Sequence, residues 1–561
     1  MIIPNIDELK KYSIDDLKNL CNDIRQILIN LSHNKAIHLS SNLGIVELSV
    51  ALLYVFDSPK DKIVYDVGHQ CYVHKILTNR NNLLHSIYTY KGLSGFQDPC
   101  ESNHDLVSFG HSSTSLSFVQ GVVENLPFLN YCIPVIGDAS IANGLAFEAL
   151  NNISYNQTKM IIILNDNGMS ISKNVGGLAN AYNDNLTKNF FNALNIGYLG
   201  PFDGNDIFQV VDVLKYVKNH SLTKPVLIHF KTVKGNGLDN AENDVDGIYH
   251  HTNLSPMVSK KNNLYGYVAA KHLSQLTKMD NNIRVFNAAM TLGSSFLEYS
   301  KKFVGNYEDV GICESHCVLK AVGAYWANKN VFVVLYSTFL QRAFDQLCHD
   351  VSRNNAAITF LIDKADIAYA EGDTHHGIYD LAYLKSIPNF IITSPSSEFE
   401  LKQLINLGYA NKKNPFVIRY SKDQCFVRSK NIHFNFGDWV YLQKVKESKT
   451  LIISYGQIIN ELYKVYENKN IDIVNAIFLT YYDLEQVKQI LKSYQKIYVV
   501  EKVYFANNLY TDLVLIAYNN KINTDIESIC IKNSKVSFGQ KEIVDKLLKI
   551  DINSITSKIV L

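Results

Sequence analysis

The sequence predicts an α/β protein made of three consecutive α/β domains with mainly parallel sheets. Two observations carry that expectation. Short apolar runs of strand length recur in three series along the 561 residues, and between them apolar residues fall at helical spacing. The runs are also continuous rather than alternating, which is the pattern of parallel strands covered by helices on both faces. A chain of this length suits about three or four domains.

The first helix is expected to start at Ser13, where Ser13 and Asp16 form a capping box, with Leu17, Leu20, Ile24, Ile27, Leu28 and Leu31 following at helical spacing. Tyr131–Ile136 and Met160–Leu164 read as buried strands, and Pro225–Phe230 as another. Composition turns polar over Thr252–Asn263, which bounds a first domain at residues 1–255. Val331–Tyr336, Ala357–Ile362 and Pro415–Tyr420 form the second series, in a domain spanning 263–428. Thr450–Ser454, Ile471–Leu479 and Lys496–Val500 form the third, in a domain spanning 434–561. No repeats or low-complexity stretches stand out.

Composition excludes several classes. With 47% hydrophobic and 19% charged residues the chain is not of the disordered type. A formal charge of +1 offers no basic field for nucleic acid or anionic lipid. No apolar run is long enough to span a bilayer, and Met1–Pro4 precedes an amphipathic segment without a signal-peptide pattern. The cysteines are scattered, and Cys313 and Cys317 lack a matching second pair, so reduced thiols in a cytoplasm are expected, with neither zinc nor disulfides.

Gly137-Asp138 and Asn165-Asp166-Asn167 are the most informative pair of motifs, because each directly follows a strand-like run. Carboxylate and carbonyl oxygens at neighbouring strand ends suit one octahedral Mg²⁺ that also holds a diphosphate. Thiamine diphosphate needs that arrangement. Either motif alone would read as an ordinary turn rich in Asp and Asn; the two together make that the weaker reading.

Further blocks carry a resemblance. His38–Gly44, Asp66–Gln70, His74–Thr78, Gly92–Phe96, Gly110–Ser115, Asn165–Ser172, Tyr336–Arg342, Thr374–Gly377, Asp380–Leu384 and Ile418–Tyr420 resemble, in order, the 1-deoxy-D-xylulose-5-phosphate synthases. The His74 and Tyr336 blocks are specific to that family rather than to thiamine enzymes at large. The C-terminal third is similar only loosely. The resemblance implies a transketolase-like chain with a diphosphate domain, a pyrimidine domain and a C-terminal domain. It implies a homodimer with the site between the first two domains. The implied reaction condenses pyruvate with glyceraldehyde 3-phosphate and releases carbon dioxide, feeding isoprenoid precursors and, in many organisms, thiamine and pyridoxal.

The same resemblance assigns residues. Asp138, Asn167 and the Met169 carbonyl would hold Mg²⁺, while Gly110, His111, Ser112 and the amides of Ala139 and Ser140 would hold the diphosphate. Glu314 would bond the aminopyrimidine ring, with a pKa raised by burial, and Phe339 would stack on that ring. His38, His69 and His375 would lie near the reactive carbon, with Tyr249 a further cofactor contact and His376 structural. Tyr336, Arg342 and Arg419 would bind the acceptor phosphate, with both arginines expected at strand ends and Glu371 near the acceptor.

Departures from the family pattern are Ala36-Ile37 before His38, Ala139, Gly168, Ser315, Glu371, and the residues around Thr480-Tyr481 and Ala506-Asn507. The chain is also short between Lys173 and Tyr198, where the family carries a long insertion. Two rivals share parts of the pattern: a transketolase acting on ketose phosphates, and a decayed paralogue that binds cofactor without turnover.

Overall fold

The computed structural model describes residues 3–126, 130–171, 173–181, 186–220, 222–254, 263–428, 431–533 and 535–560. The expected boundary at 255 and the residue Ser172 fall outside them. The chain divides into two compact units: Met1–Val258 with Gly311–Cys313, and Ser259–Val310 with Glu314–Leu561.

The first unit holds a five-stranded sheet of β1 (Lys62–Tyr65), β2 (Cys132–Gly137), β3 (Ile161–Asp166), β4 (Gly197–Asp203) and β5 (Val226–Lys231). Its order is β1-β2-β3-β5-β4, and every pairing is parallel. Ile161 and Ile163 enter one apolar cluster and Ile162 and Leu164 the other, on opposite sides of the sheet. Both faces are covered, which is why the run is continuous. The helix Ile14–Ser32 opens on the expected capping box: Ser13 N donates to Asp16 Oδ2 at 3.0 Å and Asp16 N to Ser13 Oγ at 3.2 Å. In register Gly137 pairs with Asn165, so the two Asp- and Asn-bearing turns leave adjacent strand ends.

The second unit holds two sheets. The first comprises β6 (Ile283–Asn287), β7 (Tyr307–Asp309), β8 (Asn330–Tyr336), β9 (Thr359–Asp363), β10 (Ile391–Thr393) and β11 (Phe416–Arg419), ordered β10-β11-β9-β8-β6-β7 and all parallel. The second comprises β12 (Val440–Gln443), β13 (Thr450–Ser454), β14 (Asp472–Asn475), β15 (Lys496–Tyr504) and β16 (Asp525–Ile531), ordered β12-β14-β13-β15-β16. Only the edge strand β12 in this sheet runs antiparallel, against β14. One apolar cluster joins the two sheets, with Val333 and Val417 in common with Trp439, Leu451 and Val499.

Several strands escaped the sequence reading. β7 and β10 have three residues each, too few for a periodic signal. β4 is half-exposed and contains Gly200-Pro201, a dipeptide more typical of turns than of strands.

Candidate active site

In the first unit, Asp138 opens the short helix Asp138–Ile141 directly after β2, and its side chain is buried. Its Oδ1 accepts from Ala139 N at 3.0 Å and its Oδ2 from Gly168 N at 2.6 Å. Gly168 lies between Asn167 and Met169, so the carboxylate rests against the loop that carries the other two expected metal donors. Asn167 Oδ1 in turn accepts from Met169 N at 3.1 Å. Gly168 takes φ +73°, a left-handed geometry, and a Cβ there would meet open space. Burial and the neighbouring Asp166 carboxylate raise the Asp138 pKa well above its ordinary value. Against its own burial, Asp166 is held down by a 2.8 Å hydrogen bond with His229 Nε2.

Asp66, also buried, shapes the expected diphosphate loop. Its Oδ1 accepts from Ser113 N at 2.7 Å and its Oδ2 from Ser115 N at 3.1 Å. Ser113 Oγ then donates to the Ser140 carbonyl at 2.8 Å, tying Gly110–Ser115 to the Ala139-Ser140 turn. The Ala139 amide is already turned onto Asp138. Gln70 accepts from Asn165 Nδ2 at 2.8 Å and so braces the end of β3.

His38 and His69 meet edge to face at 5.3 Å between ring centroids. His250 and His251 join them, at 5.3 and 4.7 Å from His38. The hydroxyl of Tyr88 reaches His38 Nδ1 at 3.1 Å. Gly95 permits this packing, since a Cβ there would sit 1.9 Å from that hydroxyl. Tyr249 is fixed by its backbone, its carbonyl accepting from Ser40 Oγ at 2.8 Å. Burial, and then the charge of Lys234, lower His69 to about 3, so its ring is neutral at pH 7. Lys234 itself donates to the carbonyls of Ser170 and Ile171 and is lowered by burial to about 8, opposed by Asp138 and Asp244. Ile37, one of the departures, points into the core and is fully buried, so its bulk is taken up by packing. The His74 block is structural as well: His74 and Arg80 both bond the buried Asp105, at 2.9 and 2.5 Å.

In the second unit, Glu314 begins the helix Glu314–Trp326 and is 4% exposed. Burial raises its pKa, with Arg342 opposing from 3.9 Å. Phe339 lies on the turn Ser337–Leu340 after β8, stacked on Tyr336 at 5.5 Å and met edge-on by His375 at 5.6 Å. Lys364 sits 4.2 Å above the Tyr336 ring and donates to both Glu371 oxygens at 2.9 Å. Although burial alone would raise it, Glu371 is held well below the usual carboxylate range by Lys364 and Lys422. Tyr336, Phe339, Glu371 and His375 therefore form one cluster.

The arginines differ from expectation. Arg342 is not at a strand end but in the helical turn Gln341–Ala343, six positions beyond β8, because the chain turns helical at Ser337. Arg419 does end β11, yet its Nε and Nη2 are committed to Asp380 at 2.9 Å each and the Tyr455 ring lies 5.9 Å away. A phosphate would have to be met by its remaining nitrogen. His376 is structural: it is buried, and its Nδ1 accepts from Ala368 N at 3.0 Å.

Sequence reasoning missed Asp66, Gln70, Lys234, Lys364 and Asp380. Asp66, Gln70 and Asp380 stood inside blocks already singled out, and Lys364 directly follows a strand, so position was their available signal.

The residues fit thiamine diphosphate and Mg²⁺. Among the described residues no group of three or more His, Cys, Asp or Glu is arranged for a metal. The set of one carboxylate, one amide oxygen and one carbonyl is instead the hard, low-charge oxygen set that suits Mg²⁺ shared with a phosphate. Two buried polar atoms, His69 Nδ1 and Glu314 Oε2, have no hydrogen-bond partner among the described residues, as a bound heterocycle would require.

Comparison with known proteins agrees. Residues 2–190 and 182–232 match the family described as 1-deoxy-D-xylulose-5-phosphate synthase, and residues 265–426 the transketolase pyrimidine binding domain. The 1-deoxy-D-xylulose-5-phosphate synthase of Malacoplasma penetrans is 51% identical, covering 99% of this chain and 98% of that one. That of Clostridium acetobutylicum is 35% identical, over 99% and 98%. A solved transketolase from Campylobacter jejuni aligns at 16% identity and TM-score 0.45, over 98% of this chain and 99% of its own.

Proposed function

The chain belongs to the 1-deoxy-D-xylulose-5-phosphate synthase family, and from that premise we propose that its two polar constellations divide the work of the reaction. The enzyme condenses pyruvate with D-glyceraldehyde 3-phosphate to 1-deoxy-D-xylulose 5-phosphate and carbon dioxide, with thiamine diphosphate and a divalent metal. When bound, the cofactor supplies a nucleophilic carbon and an electron sink for decarboxylation.

Asp138, Asn167 and the Met169 carbonyl would hold Mg²⁺. Gly110, His111, Ser112 and Ser140 would hold the diphosphate, in a loop shaped by Asp66, while the expected Ala139 amide is committed to Asp138. Lys234 adds a buried cation beside Asp138. Glu314, whose pKa burial raises, would hold the aminopyrimidine through a hydrogen bond and exchange a proton with it. Phe339 packs against that ring. His69, whose ring burial keeps neutral at pH 7, and His38, packed edge to face against it, would orient the reacting groups and move protons at the substrate oxygens, and His375 takes the same role. Tyr336, Arg342 and Glu371 receive the acceptor, with Arg342 the main phosphate ligand and Arg419 secondary. Three domains, 1–255, 263–428 and 434–561, are supported by the three separate sheets.

The observation that carries this division is Glu314 Oε2, buried at a helix start in a family block, without a hydrogen-bond partner among the described residues and faced by Arg342 at 3.9 Å. The purified enzyme, given labelled pyruvate, is expected to release carbon dioxide rapidly only with glyceraldehyde 3-phosphate present. No release under either condition would leave a binding protein without turnover. The same reading takes the enzyme as a cytoplasmic homodimer, which sedimentation of the holoenzyme and cell fractionation test. Among the described residues no helix is long and apolar enough to cross a membrane.

A further inference from the structure

The loop carrying Glu371 and His375 is short, and its regular parts are the two helical turns Tyr369–Glu371 and Asp373–His375. Tyr369 takes φ +38°, a left-handed backbone that a residue with a bulky side chain rarely adopts. Something outside the loop must hold it there. Its hydroxyl donates to Asp545 Oδ1 at 2.7 Å and accepts from Lys502 Nζ at 3.2 Å, and Lys502 bonds Asp545 Oδ2 at 2.9 Å. Lys502 lies on β15 and Asp545 on the helix Lys541–Leu548, both in the C-terminal sheet layer. All three side chains are buried.

Two backbone bonds reinforce the contact: Gly539 N donates to the Tyr369 carbonyl at 3.2 Å and Tyr504 N to that of Ile378 at 3.0 Å. Around the polar trio, Ile367, Tyr369 and Ile378 pack with Ile531, Val536, Val544 and Ile550 in a small separate apolar cluster. A buried ion pair adds little net stability against apolar replacements, so geometry is its clearer contribution. Lys364 and Lys422, which bond Glu371 and the Ala368 carbonyl, also hold this loop.

We infer that Tyr369, Lys502 and Asp545 are positioning residues through which the C-terminal sheet layer fixes the loop bearing Glu371 and His375, and so sets the fit of the phosphorylated acceptor. The inference rests on the reading of Glu371 as an acceptor contact. It gives residues 434–561, which carry none of the proposed site residues, a part in the reaction that acts through Glu371 and His375.

Tyr369→Phe keeps the ring packing and the Lys502–Asp545 pair and removes only the hydroxyl. Asp545→Asn is the second variant and Glu371→Gln the reference. In the full-length holoenzyme, amide exchange over residues 366–377 is expected to rise about tenfold in Tyr369→Phe, the change that losing one charge-assisted hydrogen bond produces. The KM for glyceraldehyde 3-phosphate is expected to rise by a similar factor, with the KM for pyruvate and the cofactor affinity unchanged. Unchanged exchange in both Tyr369→Phe and Asp545→Asn overturns the inference. So does faster exchange with an unchanged acceptor KM while Glu371→Gln raises that KM. If Glu371→Gln leaves the acceptor KM alone but Tyr369→Phe raises both exchange and that KM, the positioning stands and the Glu371 assignment falls. A purely structural role would lower the melting temperature without separating the two substrates, and that result also overturns it.

Discussion

Arg419→Ala removes a guanidinium that is 3% exposed and holds Asp380, itself 1% exposed, through two hydrogen bonds of 2.9 Å. Alanine would leave the Asp380 carboxylate buried and unmatched. Breaking a buried pair in this way costs about 3–5 kcal/mol. Arg342 is different: its side chain is 17% exposed and its ion pair with Glu314 is 3.9 Å long. With so long an ion pair, Arg342→Ala is expected to cost clearly less stability than Arg419→Ala. Its loss appears in the reaction instead, as about 1.5–3 kcal/mol of charge-assisted hydrogen bonding to the acceptor phosphate. That is roughly a ten- to 150-fold fall in kcat/KM with glyceraldehyde 3-phosphate, and much less with unphosphorylated glyceraldehyde. Urea titration followed by tryptophan fluorescence reads the stability, because Trp326 and Trp439, the two tryptophans, both belong to the second unit, and Trp439 shares an apolar cluster with Val417. The double variant Arg419→Leu with Asp380→Leu is expected to recover most of the lost stability, since no charge is stranded. An unmoved urea midpoint in Arg419→Ala, joined to a loss with the phosphorylated acceptor alone, would refute this reasoning and make Arg419 a phosphate ligand first.

Asp138→Ala or Asn167→Ala is expected to abolish activity and weaken Mg²⁺ and thiamine diphosphate binding; calorimetry showing unchanged affinity in both would end the metal assignment. Glu314→Gln is expected to retain cofactor yet slow hydrogen–deuterium exchange at the thiazolium carbon by about 10²–10⁴-fold, and wild-type exchange would reject its role. His376 is held down by burial to about 4, below its unfolded value near 6.5, so unfolding takes up a proton between those values. Its contribution is complete above pH 6.5 and is lost as pH falls towards 4, by at most about 1.4 kcal/mol per pH unit. Urea titrations from pH 7 to 4 on wild type and His376→Gln test this; equal acid slopes would dismiss it.

By itself the sequence determined where strands and site-bearing turns lie. Ile161–Leu164 is apolar throughout because successive side chains feed two clusters on opposite sides of one sheet, and that requirement is written locally. The Ser13 capping box and the Asp138 and Asn167 turns are local in the same sense, each needing only a few consecutive residues. Short or half-exposed strands such as β7 and β4 leave no such mark.

The tertiary structure alone decided which of those residues meet. Nothing near Arg419 in the chain announces Asp380, and nothing near Tyr369 announces Lys502 or Asp545; each pairing exists because the fold packs distant segments together, the end of β11 against the helix Asp380–Leu384 and the Tyr369 turn against β15 and the helix Lys541–Leu548. It also decided that Ile37 faces the core and that His250 and His251 join His38. A carboxylate and a guanidinium carry the same sequence signature whether they await a ligand or each other. Burial and distance separate the two cases, and both are properties of the folded chain.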